Sequence, residues 1–578
     1  MRHYSKNIKL WKMSCIAIFI WLSGNFLYAG DIEILKEVLK ENYLSIENFR
    51  MYTDTSSIPK HHKQPDRWYL VEEDKIIALR ISKSELEKIV GLNKLKNIKE
   101  LHLCDNALLK KIDITGLDRL EKLDLSKCSI EDLKLSNLQE LRELDLHDNK
   151  TLKKVDLVGL DKLERLNLSY CGLENSGLLN LPKGLKELNL NDNIALKKVD
   201  LFGFDKLEIL DLSWCGLESL ELSNLPKGLK KLFLRGNRAL KKVDLFGFDN
   251  LEILNLSYCG LENLELSNLS KNLKELDISW NIFLKKAELK GFNKLEKLNL
   301  SNCSIEEIKF LNMPKLKELD LHNNKYLKRI DISGFDKLNK LDLSECSIED
   351  LKLSNLPELI ELNLNYNKAL KKIDLTGFNK LESLDLSECS IEELKLSNLP
   401  ELKKLYLYNN MTLKRIELSG FDKLEKLDIS ECGIEKIALS NLPELKKLYL
   451  YDNKNLTKVE LEGFSKLEKL DLSESGIEEM RLLNLPELRE LYIYDNINLK
   501  KIDLTGIDNL ERLDLSGCNV EILNFSNLSE LRELDLSENR LLKNINLTGV
   551  DNLKKLILSS EVKEKVVISG YSGKVEYK

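Results

Sequence analysis

The sequence is poor in the residues that interrupt regular structure. Only 9 prolines and 26 glycines occur among 578 residues. That excludes collagen-like repeats and proline- or glycine-rich disordered chain. It also lacks an excess of either charge. Its 89 basic and 95 acidic side chains leave a net charge of −6 and are interspersed throughout, so there is no electrostatic footprint for nucleic acid. Beyond the first 30 residues no second long hydrophobic run follows, which excludes a chain that crosses a membrane repeatedly. Helical periodicity is missing from most of the length. A nucleophile elbow, a phosphate-cradling glycine loop and a Cys-x-x-Cys pair are missing as well. No residue reads as catalytic, and no cofactor or metal is called for.

Cysteine is present, but in a pattern that argues against a disulfide framework. Cys128, Cys171, Cys215, Cys259, Cys303, Cys346, Cys389, Cys432 and Cys518 recur on a spacing of 43 or 44 residues, with Ser475 holding one of the positions. A position that accepts Cys or Ser on a fixed rhythm is structural. Cys15 and Cys104 lie off the rhythm.

The same spacing governs almost everything from about residue 77 to residue 558. It divides into alternating half-units of 21 or 22 residues, such as LYLYNNMTLKRIELSGFDKLEK from Leu405 and LDISECGIEKIALSNLPELKK from Leu427. Both open L-x-L-x-x-(Asn or Cys). The starting leucines run Leu101, Leu123, Leu144 and onward to Leu534 and Leu556, and Leu79 fits as an imperfect first unit, giving about 23 coils. An L-x-L alternation is a short strand with leucines inward. The Asn or Cys falls where the chain turns inward, and a buried Asn there can bond open backbone groups. The second half of each unit alternates too: Leu370, Ile373, Leu375 and Phe378 in one kind, Ile391, Leu394, Leu396 and Leu399 in the other. No unit buries its leucines alone, so stacked coils must share one core. The expected fold is a β-rich solenoid with extended segments on both walls, gently curved and twisted.

The segment LKELDLHNN at Leu316 to Asn324, and the nested second L-x-x-L-x-L seen in LKKIDLTGF, resemble the leucine-rich repeat family. The short unit length is similar to its bacterial nested, IRREKO-like subclass. Strict alternation of Asn and Cys units departs from that subclass. The resemblance implies a solenoid that binds other proteins, with ligands that vary widely across the family.

The ends read differently from the array. Arg2, Lys6, Lys9 and Lys12 precede the apolar stretch MSCIAIFIWLSGNFLYA, with Leu27 and Ala29 near the −3 and −1 positions. Residues 1–30 are therefore expected to be a secretory signal peptide, and the protein secreted or displayed at a cell surface. Contact with a membrane is expected only if that segment stays uncleaved. Residues 31–76 should form an N-terminal cap, a short helix placing Leu35, Val38, Leu39 and Tyr43 on one side, followed by strand. Residues 77–558 form the solenoid, and 559–578 a terminal hairpin or edge strand around the turn signal Gly570-Tyr571-Ser572-Gly573.

Candidate binding residues come from the outward half of the alternation. Leu405 and Leu407 point in, so Tyr406 and Tyr408 should point out, and Tyr449/Tyr451 and Tyr492/Tyr494 repeat them on every second coil. Alternate coils lie roughly 9.6 Å apart. Asp428 and Asp471 fall between the tyrosine strands, and Lys404 and Lys447 flank them. Tyrosines among charged groups have the composition of a recognition surface. A second aromatic group, Trp214, Phe233, Tyr258 and Trp280, reads as an extension of that surface or as rim packing. Outward columns also place His102, Asp124, Asp145 and His147 on three successive strands with Cys104 beside them, and Asp320, His322 and Asp342 in a smaller copy. Because Asp or Asn fills this column along most of the array, it is read as a solvated face rather than a catalytic or metal site. The function expected is a non-enzymatic, exported scaffold for a protein partner. Glycan binding through tyrosine beside Asp and Asn is the second reading, and a solenoid enzyme acting on polysaccharide a distant third.

Overall fold

The computed structural model describes residues 29–578 apart from 60–63, 132, 136–137, 219–224, 242, 244, 264–269, 355, 395, 397–398, 500, 505 and 526–527. The expected signal peptide lies almost wholly outside the described residues. The chain divides into two units, up to Asp277 and from Ile278 onward.

The first unit opens with helix α1, Ala29–Glu41. Its Leu35, Val38 and Leu39 are buried, as their helical spacing predicts. Tyr43 is not: it lies beyond the helix end at φ 58 and is fully exposed. The chain leaves the helical path at that residue, so the periodicity no longer places it on the buried face. Asp31 Oδ2 accepts from the Ile76 N–H at 3.0 Å and from Asn97 Nδ2 at 3.2 Å, tying α1 to the array. Strands Arg67–Glu72 and Lys75–Ile81 form an antiparallel hairpin. Glu73 and Asp74 turn it, both at positive φ, as a two-residue turn matched to strand twist requires.

From Lys75–Ile81 onward every strand of the main wall is parallel and in register. Leu79 stands on Leu101, Leu101 on Leu123 and Leu123 on Leu144, and the ladder continues to Glu275–Asp277. The second unit repeats the arrangement from Lys297–Asn299 to Lys555–Leu558. In both, the strand leucines are 2% exposed or less. Burying each stabilises the fold by about 1.5–3 kcal/mol. The expected terminal segment forms an edge strand: Val575–Tyr577 adds in parallel to Lys555–Leu558, while Val567–Ser569 continues the opposite wall.

The turn after each strand is held by the ladder residue. Asn410 is wholly buried. Its Nδ2 donates to the carbonyls of Leu407 and, one coil back, Leu386, both at 2.8 Å, and its Oδ1 accepts from the Ile391 N–H at 3.1 Å. Cys432 stands in the same place on the next coil, its thiol 3.2 Å from the Leu407 carbonyl. Every described cysteine is buried, and none of them forms a disulfide. Burial pushes the Cys432 thiol up to about 12, so it is an inert donor rather than a nucleophile.

The opposite wall is less regular than expected. Among the described residues it pairs as strands in places, such as Arg415–Ser419 with Lys436–Ser440 and Lys458–Glu462 with Glu479–Leu483. Leu370, Leu375 and Phe378 are buried and Ile373 half-buried, whereas in the neighbouring coil Ile391 and Leu399 are buried and both Leu394 and Leu396 half-buried. Coils carrying the Gly-Phe pair close the core more completely than the coils carrying Pro.

Candidate functional site

The tyrosine strands sit where the alternation puts them, in the second unit. Register pairs Tyr406 with Asp428, Asp428 with Tyr449, Tyr449 with Asp471 and Asp471 with Tyr492. The flanking leucines are fully buried. All six tyrosines are half-buried, neither sunk in the core nor standing free. Tyr408 and Tyr451 bracket the intervening coil with ring centroids 6.3 Å apart and planes tilted by 43°. On that coil Ser430 is wholly buried, and its hydroxyl makes no hydrogen bond. The rings therefore pack partly on their own wall.

Their hydroxyls and faces are fixed by charged neighbours. Tyr408 donates to Glu431 at 3.0 Å, Tyr492 to Glu490 at 3.1 Å and Tyr494 to Glu474 at 3.4 Å. Arg512 Nη1 in turn donates to the Tyr492 hydroxyl at 3.3 Å. Lys426 lies between two rings, 4.7 Å from the centroid of Tyr406 and 5.2 Å from that of Tyr449. Lys469 sits 4.5 Å from the Tyr492 ring and pairs with Glu490 at 2.9 Å. Sequence reasoning placed Lys404, Lys426, Lys447 and Lys469 along one flank of these strands and chose Lys404 and Lys447 as binding residues. Those two are there and exposed, but the ammonium groups that touch the rings come from the aspartate coils between. Cross-strand neighbours reach the face of a ring that their own strand's residues cannot. Burial raises the Asp428 carboxyl above the usual range, only partly offset by Ser430, whose N–H donates to it at 3.2 Å. Burial likewise raises Tyr449, Tyr451 and Tyr494.

Two members of the second aromatic group, Trp214 and Tyr258, lie together in the first unit. They meet at 5.8 Å. The Trp214 ring lies over Gly236, where any Cβ would come within 2.2 Å of it. Arg238 and Arg235 approach the two rings at 5.9 and 5.5 Å. This is rim packing over the turns. Phe233 instead faces a groove on the main wall, and Trp280 belongs to the second unit.

That groove, about 1070 Å³, is closed at one end by the cap residues Thr55, Ile58 and Trp68. It contains His102, Asp124, Asp145 and His147, whereas the smaller copy, Asp320, His322 and Asp342, belongs to the second unit. His102 lies between two carboxylates, Nδ1 3.5 Å from Asp124 and Nε2 3.4 Å from Glu100. Burial opposes the imidazolium, but the bonds to Asp124 and Glu100 win and raise its pKa. Asp124 is buried too, yet His102 and Ser126 hold its carboxyl well below the usual range. His147 Nδ1 is 2.9 Å from Asp145, and His322 Nδ1 is 2.8 Å from Asp320. Among the described residues no cluster has the makings of a metal site. The groove was missed in the sequence because its end wall comes from the cap, whose spacing carries no repeat signal. No helix among the described residues is long and apolar enough to cross a membrane.

Family models match four stretches of the chain. Leucine Rich repeats (2 copies) matches 293–335, the BspA type Leucine rich repeat region (6 copies) matches 337–458 and 379–500, and a further Leucine Rich repeat matches 161–181. No curated protein matches by sequence. Among solved structures, YopM from Yersinia enterocolitica WA-314 shares the fold at 23% identity and a TM-score of 0.54, covering 75% of this chain and 91% of its own. The functional domain of InlJ from Listeria monocytogenes, which includes a cysteine ladder, aligns at 18% identity over 83% of this chain and 81% of its own. Its TM-score of 0.28 is too low to carry structural inference. The parallel leucine ladder, the Asn and Cys turns and the matched repeats agree: the chain is a leucine-rich repeat protein.

Proposed function

We propose that the strand face bearing Tyr406, Tyr408, Tyr449, Tyr451, Tyr492 and Tyr494 is a docking surface for a protein partner, and that the chain is an exported, non-enzymatic binding scaffold. The observation that carries this reading is the contrast within single strands. Six tyrosines stay half-exposed on one face while the leucines alternating with them are fully buried. The hydroxyls of Tyr408, Tyr492 and Tyr494 donate to Glu431, Glu490 and Glu474, and two lysines lie on the faces of Tyr406, Tyr449 and Tyr492. The rings are thus held before any partner arrives, which lowers the ordering cost of association. Tyrosine supplies large contact area with few rotatable bonds.

A photocrosslinking side chain in place of Tyr449 should capture one saturable polypeptide from the protein's native surroundings. The same group in place of Glu460, on the opposite wall, should not. Equal capture at both positions would contradict the assignment of the face, and capture of carbohydrate alone would favour the glycan reading.

A further inference from the structure

The first outward column of the main wall alternates acid and base along much of the array. Lys122, Glu143 and Arg165 stand in register, as do Lys297, Glu318, Lys340 and Glu361. They pair across coils, Lys122 with Glu143 at 3.3 Å, Lys297 with Glu318 at 2.9 Å and Lys340 with Glu361 at 2.9 Å. Beside the tyrosines the alternation fails. Lys404, Lys426, Lys447 and Lys469 follow one another on four successive coils. Like charges directly opposite on neighbouring strands, about 4.8 Å apart, destabilise a sheet. Lys426 and Lys469 are partly accommodated by ring faces and by Glu490. Lys404 and Lys447 are exposed, and among the described residues their ammonium groups make no ion pair. The aspartates of the next column, Asp385, Asp428 and Asp471, accept from the Ser387, Ser430 and Ser473 amides at 2.9, 3.2 and 3.1 Å.

We infer that this lysine row receives an extended acidic segment of the partner polypeptide, laid along the array with its carboxylates on Lys404 and Lys447 and its backbone against Tyr406 and Tyr449. The inference rests on the docking reading and adds the partner's chemistry. A repulsive row retained along one edge of an aromatic face is relieved when anions bind it. The two free lysines stand two coils apart, roughly 9.6 Å, about three residues of extended chain.

The test uses the full chain and a fluorescent oligo-glutamate peptide of about a dozen residues, with anisotropy at low and physiological salt. Lys404→Glu with Lys447→Glu should lower the peptide's affinity at least tenfold. Because it restores acid–base alternation, it should leave the unfolding midpoint unchanged or higher. Arg415→Glu with Lys436→Glu makes the same change of charge on the opposite wall and should leave affinity within twofold. Wild-type affinity should fall as salt rises. Equal losses in both double variants would reduce the effect to net charge and overturn the proposal. So would tighter, lysine-dependent binding of a heparin fragment, single-stranded DNA or anionic vesicles. If the peptide does not bind while the crosslinked partner still depends on the tyrosines, the acidic segment is wrong and the docking face stands.

Discussion

At Asn410 three backbone groups of two successive coils converge on one carboxamide. Removing it by Asn410→Ala leaves the Leu386 carbonyl and the Ile391 N–H buried without that partner, and the Leu407 carbonyl with only the Cys432 thiol. At about 1–3 kcal/mol for an unsatisfied group, the expected loss is about 3 kcal/mol or more, read from urea unfolding. Asn410→Cys keeps a donor, as Cys432 does, and should cost less. A loss below about 1 kcal/mol for the alanine variant would show that the ladder is not what closes the turn. His102 makes a second statement at this scale. Its pKa is raised in the folded state and that of Asp124 is lowered. The His102 contribution is complete below its ordinary value near 6.5 and fades as pH rises through the higher folded value. The Asp124 contribution is present above about 4 and fades as pH falls through its lowered value. Together they favour the fold most between about pH 4 and 6.5. Replacing His102 by Gln should flatten the decline in unfolding midpoint above pH 6.5; an unchanged slope would place the titration elsewhere.

The coil is the element, and its parts differed in how far they could be read. Leucine alternation, the ladder residue and the parallel stack are local and periodic, so they were legible. The positive φ before each ladder residue was not. Glu345, Glu388, Glu431 and Glu474 all adopt it, at φ 53, 52, 51 and 52, although glutamate has no preference for that region. The turn imposes it, and the cost of about 1–2 kcal/mol for a residue other than glycine is borne by the coil as a whole. Glu345→Gly should therefore be neutral or stabilising by up to about 1 kcal/mol, the relieved strain being offset by glycine's greater freedom when unfolded. Glu345→Val, β-branched, should destabilise. Urea midpoints of the two variants check this, and a fall with glycine would contradict it. The opposite wall was overread: Leu394 and Leu396 alternate as core residues do, yet are only half-buried. Alternation reports which side a residue faces, not how completely the next coil covers it.

Across the molecule, sequence gave the face but not the contacts on it. Outward tyrosines followed from period 2, whereas Lys426 rather than Lys404 on the rings depends on which neighbouring strand a side chain leans toward. The end-walled groove of the first unit depends on the cap and has no repeat to announce it. The central claim is that the tyrosines serve a partner more than they serve the fold, although the contact between Tyr408 and Tyr451 shows that they do both. The direct measurement is a paired one on Tyr406→Ala, Tyr449→Ala and Tyr492→Ala combined: unfolding free energy and affinity for the crosslinked partner. Interface tyrosines at a hot spot contribute about 2 kcal/mol or more each. The expected result is a loss of affinity of at least tenfold with an unfolding free energy within about 2 kcal/mol of wild type. Unchanged affinity with a larger loss of stability would mean that the rings are packing for their own wall and that the docking face is elsewhere.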